Sequence, residues 1–133
     1  MKEGTYAVYN GKVYEAELWS ELNKKGIIML ISNDDTDLNK GFVQYKTYGI
    51  IKKVRKDELT NAYYIQNFAK VQGIKVKVIG VEGDDISITS NDYNIFRKLN
   101  MKQFEPYVYI KLVKKKDIEE EFEEKKAIWG FSG

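Results

Sequence analysis

Residues 50–59 read IIKKVRKDEL, and residues 109–118 read YIKLVKKKDI. Both are aliphatic and basic runs that close on carboxylates and a further aliphatic residue. Working outward from this pair, Tyr48 matches Tyr107, Ile51 matches Ile110, Val54 matches Val113, Leu59 matches Ile118 and Tyr63 matches Phe122. Upstream, Ala7 matches Ala69, Gly11 matches Gly73, and Ser32-Asn33-Asp34 matches Ser90-Asn91-Asp92. The spacing changes only between these blocks, where loops belong. A period of roughly 60 residues is too long for a solenoid unit and suits a small β-domain.

Each half reads in the same order. Tyr6–Tyr9, a turn at Asn10-Gly11 and Lys12–Leu18 predict a hairpin, because Asn-Gly tolerates the positive φ that tight hairpin turns need. Gln72-Gly73 takes that place in the second half, followed by the alternating Ile74, Val76 and Val78. A loop comes next, then a strand over Ile27–Ile31 or Ile86–Thr89, then the basic strand. Asp57 and Asp117 read as N-caps of short helices, the second running through Glu119–Glu124. The apolar tail Ala127–Phe131 is expected to pack back on the fold. The fold expected is mainly β with short helices: a tandem duplication of a small SH3-like barrel, residues 1–66 and 67–133. The two are joined closely through Gln66-Asn67-Phe68, which lacks Pro and Gly. The competing reading is an α+β ferredoxin-like repeat, with Asp92–Leu99 as a full helix.

Composition removes several functions. The chain has 133 residues, no Cys and no His, which takes away disulfides, thiolate metal sites and the commonest general base. Neither a phosphate-binding glycine loop nor a Ser-Lys pair stands out, so no enzyme, cofactor or metal is expected. Asn33–Asp37 fails as a calcium loop, since Lys40 stands where the turn glycine belongs and Lys46 where a bidentate Glu belongs. An Asx-capped turn is the simpler reading. No membrane partner is expected, and the default compartment is the cytoplasm, since the amino end lacks a signal-type apolar stretch.

For binding, two sets of residues stand out. The basic strands offer Lys52, Lys53, Arg55, Lys111 and Lys114, flanked by Tyr45, Tyr48, Tyr107 and Tyr109, a combination that suits single-stranded nucleic acid. A net charge of only +2, and carboxylates directly after each basic run, favour solvated strand ends instead. The alternating apolar positions are taken as Ile51 in the first run and Ile110 and Leu112 in the second. The other set is acidic: Asp34, Asp35 and Asp37 in one loop, Glu82, Asp84 and Asp85 in a loop read as its counterpart, and Glu15, Glu17 and Glu21 around Trp19. Trp19 has no match in the second half and suits an aromatic anchor within a charged rim.

The phrases YNGKVYEAEL, IIMLISNDD, a Gly-Phe pair, a lysine-rich strand ending in DEL and a second copy closing on EEEFEEKKAIWGF resemble small cytosolic immunity proteins of Gram-positive toxin–immunity loci. The resemblance covers most of the chain. It implies a non-catalytic protein that binds and neutralises a cognate antibacterial toxin domain, and it assigns no contact residues. A nucleic-acid-binding tandem barrel and a peptide-binding adaptor are the alternatives.

Overall fold

The computed structural model describes residues 2–20 and 26–132. The chain is mainly β. Among the described residues its strands are β1 (Gly4–Tyr9), β2 (Lys12–Ser20), β3 (Ile27–Ser32), β4 (Val43–Tyr45), β5 (Gly49–Arg55), β6 (Asn61–Val71), β7 (Ile74–Glu82), β8 (Asp85–Ser90), β9 (Lys102–Glu105), β10 (Val108–Lys114) and β11 (Glu120–Ala127), with one α-helix, α1 (Tyr93–Leu99). The strands form one antiparallel sheet in the order β4-β5-β3-β2-β1-β6-β7-β8-β10-β9, and β11 pairs with β6. Among the described residues no helix is long and apolar enough to cross a membrane.

The chain divides into two compact units. The amino unit is Glu3–Ile65 with Lys125–Gly133, and the carboxy unit is Gln66–Glu124 with Met1–Lys2. Both are built by the same local devices. Asn10 and Gly11 have φ of 50° and 79°, and Gln72 and Gly73 have 50° and 76°. Both central residues of each turn are thus left-handed, the geometry whose twist matches a two-residue hairpin. The turns fix the registers Tyr9↔Lys12 and Val71↔Ile74.

The Ser-Asn-Asp blocks also act alike. Ser32 Oγ accepts from Asp34 N–H at 3.0 Å, and Ser90 Oγ accepts from Asp92 N–H at 3.0 Å. Each Asp side chain then caps the helical turn after it: Asp34 accepts from Thr36 N–H, and Asp92 from Asn94 and Ile95 N–H. In the amino unit this starts a 3-10 helix over Asp35–Lys40, ended by Gly41 at φ 90°. In the carboxy unit it starts α1, ended by Asn100 at φ 56°. The closing bonds correspond, Phe42 N–H to the Asp37 carbonyl and Met101 N–H to the Phe96 carbonyl. The phrases at 50–59 and 109–118 each encode a strand, β5 or β10, followed by a 3-10 turn. Its closing bond is 3.1 Å in both copies, Leu59 N–H to Lys56 or Ile118 N–H to Lys115.

Alternation gives each unit a main core face, and in the amino unit Tyr6, Met29, Ile51, Tyr63 and Ile65 of the other face are buried as well. Tyr14, Ala16, Ile28, Leu30, Phe42, Ile50 and Val54 fill the amino core, and Ile128, Trp129 and Phe131 of the tail pack against it. Val76, Val78, Ile86, Ile88, Leu99, Tyr109 and Val113 fill the carboxy core. Stacked aromatic pairs recur at matched places, Tyr6 with Tyr63 at 6.1 Å and Phe68 with Phe122 at 5.9 Å.

Several expectations are corrected. Among the described ladders none closes, so the sheet is open and the expected barrels are absent. The helix expected over Asp92–Leu99 is present as α1, but the ferredoxin-like alternative fails because among the described residues α1 stands alone, a 3-10 helix occupying its place in the amino unit. Asp57 and Asp117 do not cap helices, since each lies within its 3-10 turn. Residues 120–127 form β11 instead of a helix, because ladder pairing with β6 overrides the helix-favouring Glu and Lys. Gln66-Asn67-Phe68 is the middle of β6 and not a linker after a helix. The apolar phase of β10 is reversed: Tyr109 and Val113 point inward and Leu112 is exposed. The register Val113↔Ile86 sets this, and the alternation of apolar residues on both faces hid it.

Leu30 and Ile86 are fully buried, one in each core. Leu30→Ala and Ile86→Ala should each cost about 2–5 kcal/mol. Urea unfolding followed by circular dichroism checks this, and a shift within about 0.5 kcal/mol, the size of a surface change, would contradict the assigned core.

Candidate functional site

The register defines a second face of the amino unit, opposite its core. One row runs Tyr63↔Tyr6↔Glu15↔Ile31↔Ile51↔Val43 across the strands. The next runs Glu17↔Met29↔Lys53. Glu15, Glu17 and Lys53 are exposed here. A register shift between Leu18 and Ser20 leaves Trp19 outside the β2–β3 pairing. By alternation Trp19 shares the outer face with Glu15 and Glu17, and its indole lies beside Lys53.

Two further rings join it. Tyr45 comes from β4, held against β5 by the pair Tyr45↔Gly49. Tyr48 comes from the 3-10 turn Lys46–Tyr48, which Gly49 ends at φ 87° and ψ −134°, a conformation that only glycine adopts without strain. Trp19 meets Tyr45 edge-on at 6.4 Å and Tyr48 at 6.5 Å, and the tyrosines lie 6.1 Å apart. The Lys53 ammonium stands 3.8 Å from the indole centroid and 5.9 Å from that of Tyr45. Such cation–aromatic contacts contribute about 0.5–1 kcal/mol at exposed sites. Trp19, Tyr45 and Tyr48 remain 39%, 37% and 43% exposed, so the rings pack on one another and stay open to a partner.

The acidic loop after β3 does something else. Asp37 is 0% exposed. Its carboxylate accepts from Ser32 Oγ at 2.5 Å, Lys12 Nζ at 2.9 Å and the Tyr14 hydroxyl at 3.2 Å. Lys12 also bonds Asp34 at 3.0 Å, and the Thr36 hydroxyl and amide donate to Asp34. The Ser32 and Lys12 bonds hold the Asp37 carboxyl below its ordinary value. The Thr36 and Lys12 bonds do the same for Asp34. Asp37 and Asp34 push Lys12 upward, and burial followed by the Asp37 charge raises Tyr14. Asp37 is therefore a core residue beyond the reach of a partner. Asp34 is committed to Lys12 and Thr36, and among the three aspartates of this loop only Asp35 is fully exposed.

The other residues singled out by sequence scatter. Glu82, Asp84 and Asp85 belong to the carboxy unit and occupy the β7–β8 turn, with Asp85 bonded to Lys114 at 2.6 Å. The counterpart of Asp34 is Asp92, and the Glu82–Asp85 turn does not match the Asp34 loop. Glu21 lies outside the described residues. Lys52 falls in the inward row opposite Leu30, and Lys111 donates to the Leu99 carbonyl at the end of α1. Arg55 pairs with Asp57 at 2.9 Å. Tyr107 and Leu112, which match Tyr48 and Lys53, are strongly exposed on the carboxy unit. Thus the structure joins Trp19 of the acidic set with Lys53 and Tyr48 of the basic set. Grouping by sequence neighbourhood keeps these apart. The Trp-Ser end of β2 opposite a lysine-bearing strand is the available signal.

Fold and site together define a mainly β protein whose two units share local devices, with an exposed aromatic patch on one of them. Residues 1–130 match the family described as Uncharacterised conserved protein UCP033725, and the chain belongs to that family. No curated protein and no solved structure matches it.

The buried network sets a pH window. Asp37 and Asp34, lowered in the fold, contribute stability that is present above the ordinary 3.8 and lost as pH falls through their folded values. Lys12 and Tyr14, raised in the fold, contribute stability present below the ordinary 10.5 and 10.0 and lost as pH rises beyond these. The urea midpoint of the protein should therefore fall at both ends. Asp37→Asn should lower the midpoint at pH 7 and flatten the acid limb. An acid limb unchanged by Asp37→Asn would refute the assignment.

Proposed function

We propose that the protein is a non-catalytic binding protein that neutralises a cognate antibacterial toxin domain by direct contact in the cytoplasm. The Trp19–Tyr45–Tyr48–Lys53 patch is the centre of that contact. The observation that carries this reading is the cluster itself. Large aromatic side chains held against one another lose little conformational freedom on binding, and Trp and Tyr dominate the energetics of protein interfaces. Exposed Glu15 and Glu17 on the same face supply a charged rim that steers a basic partner. The phrase-level resemblance to immunity proteins points the same way.

The strand order within the amino unit, β5-β3-β2-β1-β6 with a 3-10 turn before the last strand, supports an open form of an SH3-like fold. The matched devices of the carboxy unit support a duplication. A second reading, single-stranded nucleic acid, is favoured by the lysine seated on stacking rings. It predicts an affinity that falls steeply with salt.

Affinity capture from the native host, followed by calorimetric titration with the toxin domain recovered, tests the first reading. Trp19→Ala should weaken binding about thirtyfold or more, as expected for an interfacial anchor. Glu82→Ala on the carboxy unit should change it by less than about twofold. Binding unchanged by Trp19→Ala, Tyr45→Ala and Lys53→Met would rule the patch out. Saturable, salt-sensitive binding of a mixed-sequence oligonucleotide without toxin binding would favour the second reading.

A further inference from the structure

Among the described residues β4, β9 and β11 each have a neighbouring strand on one side only. An edge strand leaves main-chain N–H and C=O groups open, and proteins blunt such edges with charges, Pro or bulges. Two of the three edges here are blunted. β9 carries Lys102 and Glu105, is followed by Pro106, and has a register shift beside it. β11 carries Glu120, Glu121, Glu123 and Glu124. β4 reads Val43-Gln44-Tyr45, with no charge, no Pro and an unbroken register on β5. Among the described residues its protection is its shortness alone.

The unblunted edge borders the aromatic patch. In an antiparallel pair, successive residues turn their main-chain groups alternately toward and away from the partner strand. Either Gln44, or both Val43 and Tyr45, therefore present N–H and C=O outward. Val43 and Tyr45 share the outer face, because they pair with Ile51 and Gly49 across β5. Val43 is 56% exposed. Next to Tyr45 stands the Lys53 ammonium, which pairs with no carboxylate among the described residues.

Building on the patch as a protein-contact site, we infer that β4 accepts an extended segment of the partner as an added strand. That segment carries an apolar residue beside Val43 and, two positions along, a carboxylate that reaches Lys53 across Tyr45. Main-chain bonds give the alignment, and the alternate side chains give the choice of sequence. Because β4 offers few main-chain bonds, the carboxylate–ammonium pair and the rings supply much of the affinity.

The probe is a short fluorescein-labelled peptide of alternating Thr and Val, with one Glu two positions from the central Val. Fluorescence polarisation and amide hydrogen exchange monitor its binding. Saturable binding should slow exchange at residues 43–45. Methylating the peptide's backbone nitrogens along one edge should weaken binding about tenfold, while methylating the other edge should leave it unchanged. Lys53→Met should weaken the Glu peptide about fivefold and leave a Gln version unchanged. No saturable binding, equal effects of both methylation patterns, or exchange unchanged at residues 43–45 would overturn the added strand. If Trp19→Ala weakens toxin binding while the peptide fails to bind, edge addition falls and the proposed function stands. If the peptide binds in this way while Trp19→Ala leaves toxin affinity unchanged, edge addition stands and the toxin reading falls.

Discussion

A two-residue turn with both residues at positive φ sets the register in each unit. In a strand pair the side-chain period is two, so a slip of one residue would exchange the inner and outer faces. With Tyr9 opposite Lys12, Ala7 and Tyr14 face the core while Tyr6 and Glu15 face away. The same alternation carries through β3 and β5, placing Ile28, Leu30, Ile50 and Val54 inside and Met29, Ile51 and Lys53 on the other side. The aromatic patch exists only in this phase. Glu15, Glu17 and Trp19 share the outer face by alternation, and the register shift at Trp19 marks where the phase of β2 changes.

Much of the fold is legible in residues whose chemistry is local. Asn10-Gly11 and Gln72-Gly73 name their own turn, and each Ser-Asn-Asp block names its own cap, because backbone conformation and a neighbouring amide suffice. The helix expected from Asp117 through Glu124 fails for the opposite reason. Its Glu and Lys favour a helix in isolation, yet the segment lies along β6, and that pairing is long-range. Barrel closure depends equally on distant ladders. The phase of Leu112 is obscured because apolar residues stand on both faces of β10.

The candidate site divides along the same line. Trp19 is legible as an outlier of the repeat. Its neighbours are not, since Tyr45, Tyr48 and Lys53 reach it only after β4 and β5 pair beyond β3. Asp37 shows the converse error. In sequence it reads as one of several solvated loop carboxylates, and no local feature reports that Lys12 and Tyr14, more than twenty residues away, will enclose it. Carboxylates become buried where a cation and hydroxyl donors arrive from elsewhere in the fold, because an unpaired buried charge is prohibitively costly.

The network around Asp37 has a counterpart of different chemistry in the carboxy unit. Counting from the matched glycines, Lys12 and Tyr14 correspond to Ile74 and Val76. The matched closing bonds align Asp37 with Phe96, which stacks on Tyr109 at 4.3 Å. A chain that contains two copies of one unit risks assembling them from each other's strands during synthesis, a characteristic failure of tandem repeats. Here a hairpin from the first copy, lodged in the second, would bring Lys12 against Phe96, where of its two carboxylate partners only Asp34 has a match, in Asp92. The reverse exchange would take Lys12 and Tyr14 from Asp37 and leave it Lys40, at 3.8 Å. The divergence of one socket would thus set a cost on a hairpin exchanged between the two units, a cost that their shared turns and caps do not impose.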